Sequence, residues 1–167
     1  MSCVAVRVTE KEIQFAADSI VVMGWTKVNT PKTQPKLDKV NGMIIGGCGD
    51  FSEIGLLLQF AETHKPDDNS LRAMRQFFSE FGDWKQKFGE KFLCENAYII
   101  GYEGKCYSLV GTCLEEVKDY RAIGAGMDYA LAALYLGKSA KQAVQVSCAL
   151  SCYVAEPIIE YKMPRKK

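Results

Sequence analysis

The stretch Ser2-Cys3-Val4-Ala5-Val6-Arg7-Val8, the polar turn Thr9-Glu10-Lys11 and the run Glu12-Ile13-Gln14-Phe15-Ala16-Ala17-Asp18 read together as a β-hairpin. Val4, Val6 and Val8 recur at the strand period, and β-branched side chains suit a pleated surface. Both faces are apolar enough to be covered, as in a sheet held between two layers. A turn centred on Glu10 sets Ser2 opposite Asp18, so a hydroxyl and a carboxylate share one face at the open end of the hairpin.

The pattern continues outward from there. Met43 to Cys48 is a short apolar run ended by glycines, a buried strand by its length. Asp50-Phe51-Ser52-Glu53 has capping-box spacing and opens a helix through Ile54 to Phe60. A second helix runs from Ser70 to Trp84, with Leu71, Met74, Phe77, Phe78 and Phe81 on one face as core or as a contact between subunits. Asn96 to Tyr102 and Lys105 to Val110 form a hairpin on Glu103-Gly104, and Arg121 to Ile123 is a further short strand. Met127 to Leu136 is a helix stopped by Gly137. Another helix runs from Ser139, with Gln142 completing its cap, to Val154. Pro157 ends it, and Ile158 to Met163 forms a last strand. This order fits two sheets between two helical layers, an α+β four-layer αββα sandwich, in one domain over residues 1–167.

The 167 residues are 48% apolar and 25% charged, the mixture of a globular domain with a sizeable core. A net charge of +1 creates no field for nucleic acid or a membrane surface. The basic end Arg165-Lys166-Lys167 is too short to change this, and no apolar run is long enough to span a bilayer. Neither nucleic acid nor membrane is an expected partner. Seven cysteines in irregular spacing, with no basic leader and apolar run at the N-terminus, read as free thiols in a reducing cytoplasm. His64 is the single histidine and no CxxC pair occurs, so no zinc site is expected. Asp67-Asp68-Asn69 lacks the ligand spacing of a calcium loop and reads as a helix lead-in. His64 falls in the polar stretch Thr63 to Ser70, a surface position. Ser-His-Asp and Cys-His machinery is excluded unless His64 supplies the base.

Catalysis without histidine needs another base. Removal of Met1 would leave Ser2 as the N-terminus, and its own α-amine, with an ordinary pKa near about 8, can take the hydroxyl proton. A nearby cation keeps such an amine neutral, and Lys36 is the candidate in sequence order. Each residue also has a plainer reading. Ser2 can be a strand residue near a chain end, Asp18 the polar end of a strand, and Lys36 a solvated lysine among Pro31, Lys32, Pro35 and Lys39. Cys3 faces away from Ser2 along the strand and reads as a packed thiol rather than a nucleophile.

Ser2-Cys3-Val4-Ala5-Val6-Arg7 resembles the start of mature proteasome β subunits and of the peptidase of the related bacterial ATP-dependent protease, where Thr opens a strand of the same type. Ala16-Ala17-Asp18-Ser19 is similar to the family's Ala/Gly-Asp motif. Lys36 to Val40 and Gly42 to Asp50 resemble its lysine strand and glycine-rich continuation, and Ala122-Ile123-Gly124-Ala125-Gly126 its Ile-Gly-Ser-Gly segment. The start also resembles short proteasome-like proteins of bacteria and bacterial viruses. The resemblance implies the N-terminal-nucleophile hydrolase fold and a role for each matching position. Ser2 stands for the nucleophilic threonine, Asp18 for the carboxylate that orients the site, and Lys36 for the lysine that lowers the nucleophile's pKa. Gly47 and neighbouring amides stand for the oxyanion-binding turn. No metal or organic cofactor is needed. The resemblance further implies a peptide or unfolded-protein substrate, a homo-oligomer such as a ring, and an ATP-dependent unfoldase as partner. Two departures stand: Ala125 replaces the family's serine, and no acidic residue occurs around Ser151 to Tyr153, Glu156 lying further along. Two functions follow: a peptidase acting through Ser2, or a catalytically silent subunit that builds a ring or scaffold.

Overall fold

The computed structural model describes residues 2–24, 26–30 and 34–166; Met1, Pro31, Lys32 and Lys167 lie outside the described residues. In chain order the elements are β1 (Val4–Val8), β2 (Glu12–Asp18), β3 (Ile20–Met23), β4 (Thr26–Asn29), β5 (Leu37–Val40) and β6 (Met43–Cys48). There follow α1 (Phe51–Thr63), α2 (Leu71–Lys85), β7 (Ala97–Tyr102), β8 (Lys105–Val110), β9 (Cys113–Glu116) and β10 (Tyr120–Ile123). The last three are α3 (Met127–Tyr135), α4 (Ala140–Leu150) and β11 (Ile158–Pro164).

One antiparallel sheet has the order β10-β1-β2-β11 and the other β5-β6-β7-β8-β9, while β3 and β4 pair apart from both. Strand alternation divides the side chains between two layers. Val4, Val6, Phe15 and Ala17 point between the sheets onto Leu37, Ile44 and Ile99. Cys3, Ala5 and Ala16 point outward onto α3 and α4, where Ala130, Ala133, Ala140 and Ala143 keep the helices close. On the far side, Leu57 and Phe60 of α1 and Met74, Phe77 and Phe81 of α2 cover Ile45, Tyr98 and Ile100. The result is the αββα sandwich expected from the pattern of elements.

Several local expectations change. The first hairpin turns on Glu10 and Lys11 alone, because Thr9 N–H bonds the Glu12 carbonyl at 2.9 Å. Val8 therefore faces Ile13 and Val4 faces Ala17. The register is shifted by one from the expected one, and Asp18 faces Cys3 rather than Ser2. Met74, Phe77 and Phe81 lie inside the protomer, so they are core and not a subunit contact. Asp50 caps α1 by accepting from Ser52 and Glu53 N–H, but Glu53 turns into the core instead of completing a box. Ser139 and Gln142 do complete theirs. Helix α4 ends at Leu150, short of Val154, where Ser151 takes an extended conformation. Arg7 closes the end of α3 by donating to the carbonyls of Leu134 at 2.8 Å and Lys138 at 3.1 Å, a cation at the negative pole of the helix.

Candidate active site

Asp18 ends β2 as the chain leaves the sheet for the β3–β4 hairpin, and its carboxylate is fully engaged. Oδ1 accepts the N–H of Cys3 at 2.8 Å. Oδ2 accepts the N–H of Ile20 at 3.3 Å and Lys36 Nζ at 2.8 Å. Asp18 is 0% and Lys36 2% exposed, so two charges are held out of water as a pair. Because the Cys3 amide follows Ser2 directly, the carboxylate fixes the peptide that carries Ser2. The Ser2 carbonyl accepts the Gly126 N–H at 3.1 Å. Ser2 is itself 4% exposed, and the nearby Cys48 thiol feels the charges of Lys36 and Asp18. The Cys48 thiol donates to the Ile123 carbonyl at 3.6 Å. Gly124, at φ +93°, closes on this group with no room for a side chain, since a Cβ would stand 2.8 Å from Cys48 Sγ.

Burial pushes the thiols of Cys3 and Cys48 up to about 12, which keeps them protonated near neutrality and removes them as nucleophiles. His64 ends α1 and stacks on Phe60 at 4.1 Å. The 13 residues of α1 span roughly 20 Å at the helical rise, which puts His64 at the opposite end of the helix from its Asp50 cap.

Gly47 differs from its expected part. Its N–H donates to the Lys36 carbonyl at 3.0 Å, extending the β5–β6 ladder, and is not free for an oxyanion. The Gly49 N–H, one residue beyond the end of β6, has no such partner among the described residues. The two departures seen in the sequence are physical ones. Ala125 is exposed, and near the missing acid Ser151 accepts the Tyr153 N–H at 3.2 Å with no carboxylate in its place. Sequence reasoning missed Ser19, whose buried hydroxyl has no partner and which falls across from Ser2 when the ladder is extended. It also missed a second buried pair, Lys85 with Glu53 at 2.5 Å, behind the turn that follows Gly47.

Known structures carry the same fold. The chain superposes on BPH from Thiobacillus denitrificans, solved in complex with epoxomicin, with a TM-score of 0.88 at 15% identity, over 99% of this chain and 100% of that one. HslV from Trypanosoma brucei matches with a TM-score of 0.73 at 16% identity, over 98% and 99% of the two chains. Anbu, an ancestral β-subunit from Yersinia bercovieri, matches with a TM-score of 0.71 at 12% identity, over 97% and 81%. No protein-family model and no curated protein sequence matches the chain. The chain therefore has the proteasome-type fold, and no helix among the described residues is long and apolar enough to cross a membrane.

Proposed function

We propose that this chain is a proteasome-like peptidase subunit that hydrolyses peptide bonds with Ser2 once Met1 is removed. The buried Asp18–Lys36 pair at the Ser2 peptide supports this reading most directly, because two charges out of water cost several kcal/mol unless geometry and hydrogen bonds repay them. In the reaction, Ser2 Oγ attacks the carbonyl carbon of the scissile bond and its proton passes to the freed α-amine. The oxyanion is met by the backbone N–H of Gly49 in the turn that follows β6. Collapse expels the leaving amine, which takes the proton, and water then cleaves the Ser2 ester through the same amine. Lys36 lowers the proton affinity of the amine and Asp18 holds Lys36 in place. The unpartnered Ser19 hydroxyl can enter the proton network that lacks a hydroxyl at Ala125. The residues at work need no metal or organic cofactor. The substrate is a peptide or unfolded protein in the cytoplasm, the working form a homo-oligomer such as a ring, and an ATP-dependent unfoldase the supplier of substrate.

The test is intact mass before and after exposure to an epoxyketone, a reagent that needs a free α-amine beside a hydroxyl. Loss of Met1 with one adduct per chain, absent in Ser2→Ala, is the expected result. A retained Met1 and no adduct would leave the second reading, a silent subunit of an assembly, which the missing acid and the engaged Gly47 N–H favour.

A further inference from the structure

Glu53 and Lys85 form a buried ion pair that the proposed chemistry does not use, at 3% and 0% exposure. A buried pair of this kind is weak evidence for stability, since apolar residues of the same volume often serve as well. Its geometry shows another use. Glu53 Oε2 accepts Lys85 Nζ at 2.5 Å and Glu95 N–H at 3.3 Å. Oε1 accepts Tyr98 Oη at 2.8 Å and Asn96 N–H at 3.3 Å. Lys85 also donates to the Leu93 carbonyl at 3.0 Å. Burial, followed by the Glu53 charge, pushes the Tyr98 hydroxyl up, so it remains a donor. The segment before β7 is thus tied to both helices through one carboxylate.

Asn96, oriented in this way, grips the backbone of Asp50 on both sides. Its Oδ1 accepts Asp50 N–H at 2.6 Å and its Nδ2 donates to the Asp50 carbonyl at 2.7 Å. The peptide joining Gly49 to Asp50 is therefore fixed in plane. Gly49 adopts φ +137°, a conformation open to glycine, and a Cβ there would come within 2.6 Å of the Asn96 side-chain carbon.

We propose that Asn96, held by Glu53, is a positioning residue that sets the Gly47–Asp50 turn so that the Gly49 N–H meets the oxyanion. The inference rests on the Ser2 reading above. Donors help an oxyanion only when aimed before it forms, and a turn free to rotate at Gly49 would lose that aim. Lys85 neutralises Glu53 and is dispensable if the carboxylate goes too.

Two readouts decide it. In Asn96→Ala, amide hydrogen exchange of the 47–50 peptide should quicken by about tenfold or more. The saturating rate of epoxyketone labelling should fall by about tenfold or more with half-saturation unchanged. The pair Glu53→Gln with Lys85→Met keeps an acceptor for Asn96 and should label within about threefold of wild type, whatever its melting temperature. Unchanged exchange in Asn96→Ala would overturn the clamp. Faster exchange with an unchanged labelling rate would overturn the positioning role. No adduct in the wild type would remove the Ser2 reading, and the positioning role with it, while the exchange result still shows whether the clamp exists.

Discussion

Asp18 is the residue on which the site turns, and its partners make a quantitative expectation possible. Lys36→Met leaves a carboxylate of 0% exposure with the N–H groups of Cys3 and Ile20 as its partners among the described residues, and should cost about 3–5 kcal/mol in urea unfolding. The double change Asp18→Asn with Lys36→Met leaves no buried charge and should cost clearly less than Lys36→Met alone. A loss equal to the sum of those of Lys36→Met and Asp18→Asn alone would mean that the two side chains are not coupled. Both variants should lose epoxyketone labelling if Lys36 conditions the amine. The sequence pointed to Asp18 and Lys36 through matched motifs, and to Cys3 as a packed thiol through alternation. Asn96 and Glu53 were not identified, although one signal was present. Lys85 continues the buried stripe of Phe77 and Phe81, and Glu53 precedes Leu57 and Phe60 on the stripe of α1. Opposite charges on the apolar faces of consecutive helices have to meet or be left unpaired.

At the level of elements, period and punctuation carried most of the information. The strands β1, β2, β6, β7 and β8 were readable from alternation, glycine and the Glu103-Gly104 turn, where both residues have positive φ as the tight hairpin requires. The pair β3 and β4 was not, because every residue of β4 is exposed and no apolar face marks it. Nor was β9, in which Leu114 alone is buried. The one-residue register shift arose at a turn whose length is decided by a backbone bond at Thr9, which composition does not reveal. Central strands here also carry thiols: Cys48 in β6 and Cys106 in β8, with Cys3 just before β1. Burial raises Cys3 and Cys48 from an ordinary 9.0 to about 12 and Cys106 in the same direction. The unfolded chain then ionises first, so their stabilising effect is complete below pH 9 and is lost as pH climbs toward 12. Stability should fall by about 1.4 kcal/mol per thiol for each pH unit in that window. Chemical unfolding at stepped pH should show a shallower slope in Cys106→Ala than in wild type; identical slopes would exclude Cys106 from the effect.

For the whole molecule, the expectation concerns assembly. Tyr135 is 77% and Leu136 73% exposed at the end of α3, with Leu150 at 60% at the end of α4. These are large apolar side chains to leave in water, and a homo-oligomer would cover them. Light scattering should report a mass of several chains, reduced toward one by Tyr135→Glu with Leu136→Lys at unchanged circular dichroism. A wild-type monomer would contradict both the peptidase ring and the silent scaffold.

The order of strands in the first sheet has a consequence in time. β1 lies between β2 and β10, and β2 in turn borders β11. Val4 finds its partner Ile123, and Asp18 its partner Ile158, only after most of the chain has been made. A ribosome releases residues vectorially, so the first residues to emerge are the last to be seated. Closing such distant pairings is slow compared with local ones. If Ser2 is the nucleophile, a nascent chain would carry it unplaced and harmless until β10 docks beside β1.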